Sequence, residues 1–140
     1  MNGAEKKVAL VTGGSSGIGL QTCKALYDAG FSVFEISRRE QSNSFATHVF
    51  GDVTKPETLA CAVEAVVTKA GRIDVLVNNA GFGISGAVEF TDTGDAKRLF
   101  DVNVFGMMNV ARAVIPVMRA QGKGRIINLS SVAAPLSIPF

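Results

Sequence analysis

Apolar residues along this chain fall into short clusters separated by segments of helical spacing. Val8–Thr12, Phe31–Ser37, Thr47–Phe50, Asp74–Asn78 and Arg125–Leu129 are compact runs rich in Val, Ile and Leu. Near-continuous runs of this kind predict strands buried on both faces, as in a parallel sheet. A helix is predicted from about Gly17 to Ala29, with Ile18, Ala25 and Leu26 as its sheet-facing residues and Gly30 as its end. Thr54 and Glu57 match the capping-box pattern and open a second helix carrying Leu59, Val63, Val66 and Val67, closed by Gly71. A longer helical pattern runs from about Thr93 to Ala120 through Leu99, Val102, Phe105 and Met118, and Pro116 predicts a bend in it. Five strands joined by four crossovers predict a doubly wound α/β sheet with parallel strands and right-handed connections. Polar segments Arg38–Ser44 and Ser130–Phe140 read as loops.

Composition narrows the classes of function. At 140 residues and 47% apolar content the chain fits one domain. Apolar stretches such as Val8–Val11 and Val75–Val77 fall far short of the ~18 to 20 residues of a membrane span, so no membrane partner is expected. Fourteen Lys and Arg against twelve Asp and Glu give a net charge of +2, with one Tyr and no Trp, which argues against a nucleic-acid partner. The segment Met1–Lys7 lacks the features of a secretory signal, so a cytoplasmic location is expected. Cys23 and Cys61 have no metal-ligand spacing and are expected to pack as small apolar side chains, with no metal bound. His48 is expected to have no acid or nucleophile placed around it and reads as structural.

Candidate chemistry begins after the first strand, where Gly13, Gly17 and Gly19 occupy the turn Thr12–Gly19 in the spacing Gly-x-x-x-Gly-x-Gly. Glycines between a first strand and a first helix allow a pyrophosphate to approach the backbone, while the helix N-terminus offers it free N–H groups. Ser15, Ser16 and Ile18 complete this dinucleotide-binding turn. Leu20 and Gln21 follow Gly19, which rules out the Lys-Ser/Thr ending of a mononucleotide P-loop. At the end of the second strand an NAD site would carry an acid for the ribose hydroxyls, but Ser37, Arg38 and Arg39 stand there. Guanidinium groups suit a 2′-phosphate, so NADP(H) is expected in preference to NAD(H).

With Asn78-Asn79-Ala80-Gly81 after the fourth strand joining the glycine turn, the sequence resembles the short-chain dehydrogenase/reductase family across essentially its whole length. The resemblance implies a Rossmann fold, incomplete on its C-terminal side after the fifth strand, with residues 1–140 as an NADP(H)-binding domain. It implies that Asn79, Ala80 and Gly81 steady the central strands and line the cofactor cleft, and that Asp52, with Val53 beside it, faces the adenine. Asn103, within Asp101–Gly106, corresponds to the asparagine that holds a water in the family's proton relay. Ser131 corresponds, by spacing and in preference to Ser130, to the serine that positions the substrate oxygen.

The reaction so implied is hydride transfer between the nicotinamide and a small-molecule carbonyl or secondary alcohol, with a Tyr handling the proton and a Lys lowering its pKa. The family sets that Tyr roughly thirteen residues past the serine and the Lys four beyond it, which falls past Phe140. Tyr27, in the first helix, cannot substitute. The chain is therefore expected to be a fragment of a homo-oligomeric enzyme and inactive alone. Alternatives are a non-catalytic NADP(H)-binding or sensing module and, on a related fold, an epimerase or dehydratase. Ile84, Ser85, Val132 and Leu136 are candidates for the near side of a substrate pocket or for packing.

Overall fold

The computed structural model describes residues 6–39 and 43–136. Expectations about Met1–Lys7 before residue 6, about Glu40 in the polar loop and about the last four residues of the tail lie outside them. Five strands, β1 (Val8–Thr12), β2 (Ser32–Ser37), β3 (Thr47–Phe50), β4 (Val75–Asn78) and β5 (Arg125–Asn128), form one parallel sheet in the order β3-β2-β1-β4-β5. Strand order reverses between β1 and β4, which opens a crevice at the carboxyl ends of the strands.

Helix α1 (Gly17–Asp28) covers one face, where Cys23 packs with Val11, Val33 and Val77. Helices α2 (Pro56–Ala70) and α4 (Met107–Ala120) cover the other. There Leu59, Val63, Val66, Val110, Val114 and Met118 bury Leu10, Phe34, Ile36 and Leu76. Each such side chain contributes about 1.5–3 kcal/mol when fully buried, so this layer holds the sheet. Between α3 (Thr93–Phe100) and α4 the helix widens into a π-turn over Asp101–Gly106. Among the described residues no helix is long and apolar enough to cross a membrane.

Several local expectations are corrected. Ile18 is 70% exposed and Ala25 is exposed, while Gly19 and Cys23 take the sheet-facing positions of α1. The Thr54–Glu57 box does not form. Pro56, lacking an N–H and preset in φ, takes the first helical position, which makes Lys55 the N-cap and puts the box one residue out of phase. The Thr54 hydroxyl donates instead to Asp52. Cys61 is exposed rather than packed; Cys23 is buried, as expected. Gly71 does end α2, at φ +73°. Helix α4 runs through Pro116 as one continuous element.

Asp74, just before β4, ties the amino ends of the strands together. It accepts hydrogen bonds from the backbone N–H of Val8 (2.9 Å) and from Arg72 (2.7 and 2.9 Å). The Arg72 bonds, aided by the Val8 N–H, outweigh the opposing effect of burial and hold its carboxyl below the ordinary carboxylate range. A depressed folded-state pKa stabilises the fold above the unfolded value, near ~3.9, and that stability is lost as pH falls through the folded value. Acid unfolding followed by circular dichroism is expected to be less steep for Asp74→Asn than for wild type, with the variant already weaker at neutral pH. Identical profiles would refute this role.

Candidate functional site

The crevice at the strand carboxyl ends is built from the turn after β1. Gly13 follows β1 with φ +67° and donates its N–H to Ile36 O at 2.8 Å. At Gly17 φ is +53°, and a Cβ there would meet nothing within 4 Å, so the first turn of α1 opens onto free space. Gly19 is the opposite case: a Cβ would lie 2.1 Å from Gly13 O and 2.5 Å from Asn79 Nδ2. The helix can seat this low on the turn only with a hydrogen at that position. Ser15 is half-buried, and Ser16, the N-cap, is exposed and makes no side-chain cap bond. With no acid in the first turn either, the N–H groups and the positive end of the dipole remain available to an anion. A small cradle open at Gly17 and closed at Gly19 fits a pyrophosphate.

Asn79 and Thr12 lock this turn to β4. Asn79 Nδ2 donates to Thr12 O (3.0 Å) and Gly13 O (3.3 Å), while buried Thr12 Oγ1 accepts from the N–H groups of Asn79 (3.1 Å) and Ala80 (3.0 Å). Sequence reading singled out Asn79 and Ala80 but missed Thr12, whose buried hydroxyl looks like any strand end. Gly81 lies against Asn103, whose carbonyl a Cβ at residue 81 would approach to 3.1 Å.

Asn103 sits in the π-turn, and its amide closes a reciprocal pair with Phe82: Oδ1 accepts from the Phe82 N–H (3.1 Å) and Nδ2 donates to Phe82 O (2.8 Å). Its side chain thus serves the loop after β4 rather than its own helix, and π-turns of this kind often mark functional segments. Ser131 lies just beyond β5, exposed, its Oγ accepting from the Ala133 N–H. Ile84, Val132 and Leu136 are 42%, 77% and 60% exposed, so among the described residues they pack against little.

At the far end of the crevice Ser37 closes β2, followed by exposed Arg38 and Arg39. Asp52 accepts from the Thr54 N–H and hydroxyl at 2.9 and 2.7 Å. Burial raises its pKa, but those bonds and the charges of Arg38 and Lys55 together hold it below the ordinary carboxylate range. Asp52 is not the cap of α2. Val53 does not face the crevice with its side chain: it is buried in the core, where a Cβ on Gly106 would come within 2.7 Å of it.

One expectation about His48 is overturned. An acid does stand beside it: Glu35, fully buried on β2, is the register partner of His48, and Nδ1 contacts Oε1 in a short pairing. Glu35 falls within the predicted strand Phe31–Ser37 and is not singled out by the sequence. Glu-x-Ser on one strand opposite His on the next was the available signal, since alternate residues share a face.

Comparison with known proteins agrees with this geometry. Residues 7–140 match the short chain dehydrogenase family. The chain is 37% identical over 137 residues to a 3-ketodihydrosphingosine reductase of Bacteroides thetaiotaomicron, covering 97% of this chain and 51% of that protein. A short-chain dehydrogenase structure from Streptomyces avermitilis superposes with a TM-score of 0.87 at 37% identity, over 96% of this chain and 52% of that one. A gluconate 5-dehydrogenase of Burkholderia cenocepacia, in complex with NADP and tartrate, superposes with a TM-score of 0.88 at 33% identity, over 97% of this chain and 58% of that one. The chain therefore spans about half the length of the relatives it matches. Glycine turn, Asn-Asn-Ala-Gly segment and parallel sheet occur together over nearly every residue, and the chain belongs to the short-chain dehydrogenase/reductase family.

Proposed function

We propose that residues 1–140 are the cofactor-binding domain of an NADP(H)-preferring oxidoreductase that moves a hydride between nicotinamide and a carbonyl or secondary alcohol carbon. The observation that carries this reading is the uncapped N-terminus of α1 at the strand switch point, with two arginines and no acid directly after β2. Gly13, Ser15, Ser16, Gly17, Ile18 and Gly19 form the pyrophosphate turn. Ser37, Arg38 and Arg39 take the 2′-phosphate, Asp52 and Val53 border the adenine, the latter through its backbone, and Asn79, Ala80 and Gly81 wall the cleft. The bound nicotinamide supplies the hydride chemistry.

On the substrate side, the Ser131 hydroxyl orients the substrate oxygen, and Asn103 fixes the loop beside it through Phe82. Tyr27 stands at the end of α1, against Phe45 and Lys6, so proton transfer is assigned to residues outside these 140. The chain alone is accordingly expected to bind cofactor without turnover. Phe100, Val104, Phe105 and Met108 are exposed apolar residues along α3, the π-turn and α4, which supports self-association of the complete protein.

A ligand that binds only the folded state raises its stability by about 2.7 kcal/mol at one hundred times its Kd. NADPH is expected to raise the melting temperature of the chain by several degrees and NADH, at equal concentration, by less. No shift with either would refute the cofactor site; equal shifts would refute the preference.

A further inference from the structure

The sheet face beneath the glycine turn carries an acid–imidazole pair that the proposed function does not use. Alternation along β2 puts Val33, Glu35 and Ser37 on the α1 side, and the register sets His48 opposite Glu35. Glu35 is 0% exposed, and a Cβ on Gly14 would come within 2.5 Å of the Glu35 Cβ, so the acid lies directly under the pyrophosphate turn. Its Oε1 contacts His48 Nδ1 and accepts from Ser37 Oγ at 3.2 Å, while Oε2 has no hydrogen-bond partner among the described residues. Ser37 is the residue at the ribose end of the cleft. The chain His48–Glu35–Ser37 thus runs from the sheet edge to the cofactor.

We propose that Glu35 and His48 form a proton-loaded pair that sets how strongly the site prefers a 2′-phosphate over a 2′-hydroxyl cofactor. This rests on the NADP(H) reading above. With His48 protonated the pair is neutral. With His48 neutral, a buried negative charge remains close beneath the ribose end and opposes a phosphate dianion, while a ribose hydroxyl is indifferent to it.

Other charges around the pair do not replace His48. On α1, Cys23 is a neutral thiol, pushed up to about 11 by burial and by Glu35, Lys24 pairs with Asp28 at 2.6 Å, and Tyr27 stands at the last turn. After β2 come Arg38 and Arg39, both exposed, and after β3 Asp52, held by Thr54.

The test is the ratio of NADPH to NADH affinity, measured by titration over a range of pH on either side of neutrality. The phosphate's own second proton titrates with a pKa of about 6 and favours NADPH as pH rises. Each profile is therefore read against Glu35→Gln, which keeps that effect and removes the pair. Relative to Glu35→Gln, the wild-type ratio is expected to fall about three- to tenfold across the range, as for one unit charge near a surface site. His48→Gln, at a half-buried position near the sheet edge, is expected to show the low ratio throughout, whether or not Glu35→Gln folds. Opposite signs from the two variants are not what loss of a structural contact produces. A wild-type profile parallel to Glu35→Gln, or a ratio raised by His48→Gln, overturns the proposal. If Arg38→Ala still weakens NADPH in that event, the NADP(H) reading stands and only the pair is wrong; if Arg38→Ala changes nothing, both fall.

Discussion

Gly19→Ala is expected to lose about 2–4 kcal/mol of stability and to weaken cofactor binding by more than about 100-fold. Helix propensity predicts the reverse, since alanine is worth about 1 kcal/mol more than glycine inside a helix. Geometry decides the sign. A methyl at this position would sit 2.1 Å from Gly13 O and 2.5 Å from Asn79 Nδ2, and the nearer of these is backbone that no rotamer change can clear. Relief requires α1 to lift off the turn, which breaks the Asn79 bonds to Thr12 and Gly13 and withdraws the helix N–H groups from the crevice. Gly17→Ala is the useful contrast. Open space surrounds it, so only the left-handed backbone, at φ +53°, is penalised, by about 1–2 kcal/mol. Urea unfolding and NADPH titration of both variants check the pair of expectations. A Gly19→Ala chain as stable as wild type would mean that the turn is not the rigid cradle described.

Arg38→Ala is expected to raise the Kd for NADPH about 10- to 150-fold, corresponding to ~1.5–3 kcal/mol for a hydrogen bond to a charged group, and to leave NADH within about twofold. Arg38 is exposed, and its charge is felt by Asp52. Because the site is open to solvent, the difference between wild type and variant should shrink as salt rises. Arg39 differs from it in one respect: its carbonyl is held by Ser37 Oγ, which anchors its backbone. An NADPH affinity unchanged by Arg38→Ala would remove the basis for the 2′-phosphate assignment.

The central strands β1, β2 and β4 were legible because they are largely buried, and such strands are mostly apolar. Each predicted strand is present within one residue at either end, and at β4 the difference has a polar cause. Asp74 leaves β4 to bind the Val8 N–H. Helix faces were read less well. A helix that starts against a tight turn puts its smallest residue, Gly19, where the turn crosses, and so rotates Ile18 outward. Spacing of apolar residues carries no information about such a crossing. The capping box failed for a comparable reason, because Pro56 fixes the helix start more strongly than a threonine hydroxyl does.

Of the candidate site, glycines and asparagines were visible in the sequence because their chemistry is specific to position. Thr12 and Glu35, the partner of His48, were not, because each depends on which strand lies alongside. That order follows from crossovers between segments 13 to 67 residues apart.

The widened turn over Asp101–Gly106 also constrains how the length of this chain can vary. Asn103 must face the Phe82 loop, while Val110, Val114 and Met118 must face the sheet. Each residue advances an α-helix by about 100°. Adding or removing one residue between Asn103 and Val110 would turn one of these two faces away from its target. Length changes are accommodated instead in the exposed stretch from Gly83 to Asp92, where no angular phase links the loop to α3. Insertions and deletions among homologous chains should accordingly concentrate there and spare the seven steps between the site asparagine and the first core valine of α4.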